Sequence, residues 1–95
     1  MAHKENNKTG FLIVACKAQE LMDIEFGALG ICDYCDRFSL EGYLCCVLGH
    51  RYYCPHCYKR WVNTAARYPE DIPYETQIFN EWKTRFQNAK LWEEK

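Results

Sequence analysis

The sequence predicts a small α+β domain built around one metal site. Two Cys-x-x-Cys pairs, Cys32 with Cys35 and Cys54 with Cys57, are separated by 18 residues, a spacing typical of zinc sites. The residues between the pairs have the pattern of a β-hairpin, and those after the second pair favour a helix. In a chain of 95 residues a bound metal also supplies stability that a small core lacks, because the buried fraction of the surface falls with size.

The first residues differ in character from those that follow. Residues 1–10 are polar and rich in Asn and Lys, so we expect a disordered tail there and a single zinc-binding domain over 11–95. Residues 11–16 form a short apolar run with β-branched members, which predicts a buried strand. Apolar residues then recur at helical spacing over 18–26 and stop at Gly27, which predicts a short helix.

The hairpin between the two Cys pairs is predicted from two strand-like runs, residues 43–48 and 51–54. Gly49 and His50 join the runs. Glycine at the first position of a two-residue loop is typical of a type II′ turn, so the sequence predicts a tight hairpin.

A helix is predicted directly after the hairpin. Pro55 suits a helix start, because its missing N–H would be unpaired there in any case. Residues 58–68 contain good helix formers, and Pro69 prevents continuation. The second Cys pair therefore lies at a helix N-terminus, where backbone N–H groups and the positive end of the helix dipole stabilise thiolates.

The last segment predicts an amphipathic helix over 74–93, about five turns long. Its apolar residues follow a period close to that of a helix: Ile78, Phe79, Trp82, Phe86, Ala89 and Trp92. We expect this face to pack on the zinc module and complete the core. The alternative is a helix that binds a partner.

Cys32, Cys35, Cys54 and Cys57 are the predicted ligands of one structural Zn²⁺ ion. Each Cys-x-x-Cys loop holds two thiolates at the separation that a tetrahedron needs, and the hairpin brings the two loops together. The residues inside the loops, Asp33 among them, are predicted to be spacers. Four thiolates leave no open position for a catalytic water, so we expect no enzymatic activity, no catalytic residues and no organic cofactor.

This order of knuckle, hairpin, knuckle and helix resembles the treble-clef zinc fingers over residues 31–68. The spacing of the four cysteines is similar to that of GATA-type fingers and close to that of LIM modules, and the chain is similar to small bacterial treble-clef proteins. The resemblance implies that all four cysteines are structural ligands. The chain departs from both families, because it lacks the dense basic tail that GATA fingers use on DNA and the second complete ligand set of LIM domains. The function of neither family can therefore be assigned to this chain as a whole.

Three further potential ligands raise the alternative of a second metal site. Cys45, Cys46 and His50 lie between the pairs, as in a cross-braced RING domain, but no Cys-x-x-Cys follows Cys57 to complete it. Neighbouring strand residues point to opposite faces, so Cys45 and Cys46 are expected to be small core residues, as is Cys16, with His50 a solvated turn residue. A thioredoxin-like redox site is a further alternative, but it uses a single Cys-x-x-Cys within a βαβ sheet.

The distribution of charge suggests two classes of partner. The formal net charge is −1, yet no Asp or Glu occurs within residues 42–69. The candidate nucleic-acid contacts in that window are Arg51, Lys59, Arg60 and Arg67, which lie among tyrosines and Trp61. Basic and aromatic side chains suit phosphate contact and base stacking, so nucleic-acid binding is the alternative function. Four cations beside a negative zinc–thiolate centre are few, so the preferred function is a protein-interaction, adaptor or regulatory module.

Cysteine use and hydropathy predict a cytoplasmic protein. The seven cysteines cannot all pair, and residues 1–10 lack the apolar run of a signal peptide. Paired Cys-x-x-Cys motifs in a reducing compartment usually hold metal or carry out redox chemistry. The longest apolar run, residues 11–16, is far shorter than the roughly 20 residues of a membrane span, so we expect no membrane partner. No feature points to a small-molecule substrate.

Overall fold

The computed structural model describes residues 1–94, which contain one four-stranded antiparallel sheet and three α-helices. The strands, in the spatial order β1-β2-β3-β4, are β1 His3–Glu5, β2 Ile13–Lys17, β3 Glu41–Cys45 and β4 Arg51–Tyr53. The helices are α1 Ala18–Ile24, α2 Pro55–Thr64 and α3 Ile72–Asn88. Two 3₁₀ turns lie at Cys46–Leu48 and Pro69–Asp71. The predicted α+β class is confirmed.

β2 is an inner strand of the sheet, and both of its faces are covered. One face contributes to the α3-side core, which contains Ala2, Val14, Cys16, Leu21, Leu44, Cys46, Tyr52, Ile78, Phe79, Trp82 and Phe86. The other contributes to the α2-side core, which contains Phe11, Ile13, Cys32, Cys45, Tyr53, Cys57 and Tyr58. Burial on both faces explains why residues 11–16 read as an unbroken apolar run. The predicted buried strand is confirmed, with pairing from Ile13 onward.

The N-terminal residues form an edge strand, which corrects the disordered tail expected for residues 1–10. β1 pairs antiparallel with β2. Ala2 is fully buried; its N–H donates to the Leu91 carbonyl (2.8 Å) and its carbonyl accepts from the Glu93 N–H (2.7 Å). A short edge strand is held by backbone hydrogen bonds, so its polar side chains produce no apolar pattern that sequence analysis could detect.

The β3–β4 hairpin has a five-residue loop, 46–50, in place of the expected two-residue turn. Cys45 pairs with Arg51 across its base. The added residues form a 3₁₀ turn followed by Gly49, whose φ of +83° is a conformation that favours glycine. The Cys46 side chain, at the start of this turn, packs in the α3-side core.

α2 begins at Pro55, as predicted, but ends at Thr64 and not at residue 68. Ala65 leaves the helix with an extended backbone (φ −73°, ψ 141°). The residues that follow run to the second 3₁₀ turn, and this path brings the Arg67 side chain to the first turn of α3.

Glu75 lies in the first turn of α3 and is fully buried. Its Oε2 accepts a hydrogen bond from the Leu12 N–H (2.9 Å). Its Oε1 accepts from Nη2 (2.9 Å) and Nε (3.2 Å) of Arg67. The buried carboxylate is therefore paired with a charge and hydrogen-bonded, and it joins α3 both to the start of β2 and to the linker after α2.

α3 packs its apolar face on the sheet, as predicted for the amphipathic helix over 74–93. Its buried residues are Glu75, Ile78, Phe79, Trp82 and Phe86. The helix ends earlier than expected, at Asn88, and Lys90 turns the chain with a φ of +60°. Trp92 then pairs with Ala2 in an isolated bridge, which covers the end of the core. Within residues 1–94 no helix has the length and apolar character needed to cross a membrane.

Candidate metal centre

The four predicted ligands converge. The Sγ atoms of Cys32, Cys35, Cys54 and Cys57 all lie within 4.8 Å of one another. Those of Cys35 and Cys54 are 3.9 Å apart. A tetrahedron with metal–sulfur bonds of about 2.3 Å has edges of about 3.8 Å, whereas a disulfide needs about 2.0 Å. All seven cysteines are free thiols, and the geometry of these four fits thiolates around one metal ion.

The first knuckle is a tight turn that presents Cys32 and Cys35. An antiparallel bridge between Ile31 and Phe38 closes it. Inside the turn, the N–H of Asp36 donates to the Cys32 carbonyl (2.9 Å). Asp36 has a φ of +62°, which Asp tolerates better than most residues. The backbone thus reverses within a few residues and holds the two sulfurs near each other.

The second knuckle is the start of α2. Cys54 is the N-cap residue, and its Sγ accepts from the Cys57 N–H (3.5 Å). Its carbonyl accepts from the Tyr58 N–H (2.9 Å), which begins the helix. The unpaired N–H groups and the positive end of the helix dipole favour negative charge on these sulfurs. This placement agrees with the sequence prediction.

Asp33, expected to be a spacer, joins the first knuckle to β4. Its N–H donates to the Tyr52 carbonyl (2.8 Å), and its Oδ2 accepts from the Tyr52 N–H (2.7 Å). β4 leads directly into Cys54, so these two bonds set the distance between the Cys pairs. The sequence indicated this role only weakly. Asp has a short side chain that accepts hydrogen bonds from nearby backbone N–H groups, but its partner here is 19 residues away.

Tyr52 also holds the other end of this segment. Its hydroxyl donates to the Ser39 carbonyl (2.9 Å), and the Ser39 N–H donates to the Gly30 carbonyl (2.9 Å). The Tyr52 ring lies across Gly42, where an added Cβ would be 2.2 Å from the ring. Glycine at 42 is therefore required for the ring to reach this position.

The thiols of the sulfur cluster differ in how readily they lose their protons. Burial alone would raise the pKa of the Cys32 thiol, but hydrogen bonds from backbone N–H groups, those of Cys35 and Cys54 first, lower its pKa to about 7. Burial, together with thiol hydrogen bonds to the neighbouring cysteines, raises the pKa of Cys57 to about 12. Four adjacent thiols cannot all ionise unless positive charge is supplied, and a divalent cation supplies it while displacing their protons.

The remaining cysteines lie apart from this cluster. Cys45 packs in the α2-side core and Cys46 in the α3-side core, so the two point to opposite faces as predicted. Burial raises the pKa of Cys16 and of Cys46 to about 12, and it raises the pKa of Cys45 as well. Among residues 1–94 the four-sulfur cluster is the one group of three or more ligand atoms close enough to hold a metal. His50 is exposed, as expected, with its ring 5.5 Å from that of Trp82, and the alternative second site is not formed within these residues.

The four candidate nucleic-acid contacts do not share one environment. Arg51, Lys59 and Arg60 are exposed. Arg67 is instead held by Glu75, with its Nη2 2.9 Å from the carboxylate oxygen. A guanidinium committed to a buried carboxylate is poorly placed to contact phosphate.

The aromatic rings among these cations mostly pack against one another. Tyr43 stacks on Tyr58 with ring centroids 4.1 Å apart, and Trp61 lies 4.7 Å from Phe11. Tyr53 meets Trp61 edge to face at 6.3 Å. These rings build the α2-side core and its margin, and their faces are largely covered.

A group of exposed apolar side chains beside the first knuckle was not predicted. Of ten exposed large apolar residues in the described chain, six lie within 26–40. Five of them form what we call the apolar patch: Phe26, Leu29, Ile31, Phe38 and Leu40. The bridge between Ile31 and Phe38 holds its two halves side by side. The sequence could have indicated this surface, because several large apolar residues lie in a segment that is also rich in Gly and Asp and that separates two regular elements.

No protein-family model, curated protein or solved structure matches this chain. The site is therefore defined by its own geometry: four converging sulfurs, one pair in a turn and one pair at a helix start. These cysteines lie close enough together to bind a metal ion.

Proposed function

We propose that this protein binds one structural Zn²⁺ ion through Cys32, Cys35, Cys54 and Cys57 and acts as a protein-interaction module in an adaptor or regulatory role. The convergence of the four sulfurs within 4.8 Å is the observation that carries the metal assignment. Tetrahedral sites of four thiolates select zinc or iron–sulfur centres. That all four sulfurs lie within 4.8 Å of one another supports a single ion, because in a multi-iron cluster the cysteines bound to different irons lie further apart.

A treble-clef classification is supported by the order of the elements around the sulfurs. The first knuckle lies before β3, the β3–β4 hairpin follows, and the second knuckle opens α2. The additional parts, β1, β2, α1 and α3, extend the sheet and cover its other face.

The proposed role of the ion is structural. Four protein thiolates complete a tetrahedral shell and leave no position for substrate or water. The ion would join the first knuckle, which lies in a long irregular segment, to the start of α2. Structural zinc binding contributes about 10 to 16 kcal/mol in finger peptides, which matches or exceeds the whole stability of a typical small domain.

The apolar patch supports the interaction role. Soluble monomers rarely expose contiguous apolar groups without a use for them. The patch is adjacent to the knuckle, so a metal that orders this segment also orders the surface that a partner would contact.

The metal assignment is tested by measuring the zinc and iron content of the purified chain by mass spectrometry under reducing conditions. We expect one zinc per chain and no iron. Absence of bound metal at saturating zinc, or disulfides among the four cysteines, would contradict the proposal.

Nucleic-acid binding is the second candidate function. It is favoured by the exposure of Arg51, Lys59 and Arg60 in a window without acidic residues. The test is titration of labelled DNA and RNA at low and moderate salt. Binding that weakens steeply with salt, and again in Arg51→Ala and Arg60→Ala, supports this candidate. No detectable binding at low salt leaves the protein-interaction function as the better proposal.

A further inference from the structure

The apolar patch borders two depressions in the surface. Phe26, Leu29 and Ile31 border a cavity of about 390 Å³ whose lining also includes Leu44 and Trp82. Phe38 and Leu40 border a second depression, and Phe38 is the bridge partner of Ile31, which lines the first. Depressions lined by apolar residues accept large apolar side chains, and two depressions joined by one bridge suit two such side chains of one segment.

The members of the patch are strongly exposed. Phe26 is 104% exposed, Leu40 74% and Leu29 67%. Single exposed apolar residues are ordinary on a protein surface, but a contiguous group indicates a surface that another molecule covers.

Acidic residues outnumber basic ones in the segment that carries the patch. Residues 17–41 contain six acidic residues and two basic ones, Lys17 and Arg37, which are both exposed. Asp23, Asp36 and Glu41 are exposed, whereas Glu25 is paired with Arg85 at 3.1 Å. Four thiolates (−4) around Zn²⁺ (+2) would add −2 beside the same segment. A partner with positive charge is therefore attracted to this face, and one with negative charge is repelled.

We propose that the apolar patch is the docking site for a segment of a partner protein that carries at least two large apolar side chains flanked by Lys or Arg. This inference rests on the proposed protein-interaction function, and it names the surface and the chemistry of the partner. The apolar side chains fill the two depressions, and the flanking cations face the exposed acids.

Zinc holds this docking site in its binding shape. Residues 25–40 contain neither an α-helix nor a regular strand. They are held by one isolated bridge, by a few backbone hydrogen bonds and by side-chain bonds to Tyr52 and Arg85. The knuckle that contains Cys32 and Cys35 lies within this segment. Loss of the ion therefore disorders the patch, and partner binding depends on zinc.

The test begins with selection of a random-peptide display library on the zinc-loaded full chain. We expect the enriched peptides to combine at least two large apolar residues with net positive charge. A synthetic copy of an enriched peptide is then titrated against the wild type by fluorescence anisotropy, with and without a zinc chelator. Binding is expected to be lost with the chelator.

Three variants locate the binding surface. Leu29→Ser with Leu40→Ser removes two exposed members of the patch and should weaken peptide binding about tenfold or more. Asp23→Asn with Asp36→Asn removes two exposed acids and should weaken binding and reduce its salt dependence. The control is Tyr68→Ser with Tyr74→Ser, which removes exposed rings outside the patch and should leave binding unchanged. Zinc content and circular dichroism must match the wild type in every variant.

Each outcome decides a different point. Loss of binding in the patch variant and weaker binding in the acid variant, with the Tyr68 and Tyr74 control unchanged, support the inference. Equal binding by the patch variant and the wild type overturns it, while the interaction function stands. A dimer in sedimentation that the patch variant dissociates also overturns it, because the patch would then be a contact between copies of this chain. If the zinc-loaded chain enriches no peptide, both the inference and the proposed interaction function fail.

Discussion

Asp33 sets the position of the first Cys pair relative to the second. Its two hydrogen bonds to the backbone of Tyr52 join the knuckle to β4, and β4 leads directly to Cys54. The Tyr52 backbone is buried, so its N–H depends on the Asp33 carboxylate for a partner. A residue that never touches the metal therefore controls how well the four sulfurs fit one ion.

Replacement of this side chain tests its role. Asp33→Ala leaves the buried Tyr52 N–H unpaired and should lower the free energy of unfolding by about 1 to 3 kcal/mol. Asp33→Asn keeps an oxygen acceptor and should lose less. The measurement is denaturant unfolding at saturating zinc, together with zinc affinity by competition with a chelator. Equal stability of Asp33→Ala and the wild type would show that Asp33 does not stabilise the link between the two Cys pairs.

The cysteines divide into two groups that substitution should separate. Cys32→Ser, Cys35→Ser, Cys54→Ser or Cys57→Ser removes one of four ligands, so we expect loss of zinc and of the folded state. Cys45→Ser or Cys46→Ser places a hydroxyl in a core and should destabilise by about 1 to 3 kcal/mol while zinc stoichiometry stays at the wild-type value. Zinc content and far-UV circular dichroism distinguish the groups. A halved zinc content in Cys45→Ser would restore the two-metal alternative.

The ligands could be identified from the sequence because their spacing is itself the chemical requirement. Two thiolates on one short loop suit two corners of a tetrahedron whatever the rest of the chain does. Asp33 and Arg67 could not be assigned in this way. The partner of Asp33 is on β4, and that of Arg67 is a carboxylate on the next helix, so their roles depend on how elements pack.

At the scale of elements, Glu75 determines where α3 lies. Its carboxylate joins the helix to the Leu12 N–H and to Arg67. The rest of this helix face packs through apolar side chains, which tolerate small shifts along the sheet. The buried carboxylate favours one position of the helix, because it must reach both the Leu12 N–H and Arg67.

Removal of one member of this pair should destabilise the fold strongly. Arg67→Met leaves the Glu75 carboxylate buried without its cation, and we expect a loss of about 3 to 5 kcal/mol in the free energy of unfolding. Arg67→Met with Glu75→Gln removes both charges but keeps an acceptor for the Leu12 N–H, so most of the loss should be recovered. Thermal and denaturant unfolding of the two variants provide the comparison. A double variant no more stable than the single one would show that charge burial is not the cause.

Some helices and strands could be predicted from their own residues, and others could not. α3 was predictable because its apolar residues follow the helical period, and β2 because burial on both faces gives it an unbroken apolar run. β1 was not, because three residues with polar side chains form a strand only when β2 offers its edge. The loop over 46–50 was mispredicted because Gly49 was taken as the first residue of a two-residue turn, whereas it ends a 3₁₀ turn.

In the whole molecule, the sulfur cluster links the first knuckle to the start of α2, in addition to the hydrogen bonds that join the knuckle to β4. The described chain is compact, with a radius of gyration of 12.3 Å, yet residues 25–40 cross its surface without regular structure. One ion held by the four sulfurs would join this segment, through Cys32 and Cys35, to the start of α2, through Cys54 and Cys57.

Removal of the ion should therefore unfold the domain. A strong zinc chelator is expected to reduce the circular dichroism signal and the melting temperature, because zinc binding of about 10 to 16 kcal/mol matches or exceeds the stability of a typical small domain. Restored zinc should restore both. A chelator with weak affinity for zinc serves as the control. An unchanged spectrum and melting temperature in the strong chelator would show that the fold does not depend on metal.

The sequence by itself determined the α+β class, the four cysteines, the hairpin between them and the apolar face of α3, because each is a local pattern that one element or one coordination shell imposes. Only the tertiary structure decided which residues of the same type are buried, exposed or paired. Phe26 and Leu40 are exposed while Phe86 and Leu44 are buried, and Arg67 is paired while Arg60 is exposed. The physical reason is that burial and pairing depend on neighbours distant in the chain, which exist as neighbours only after the sheet and helices have packed.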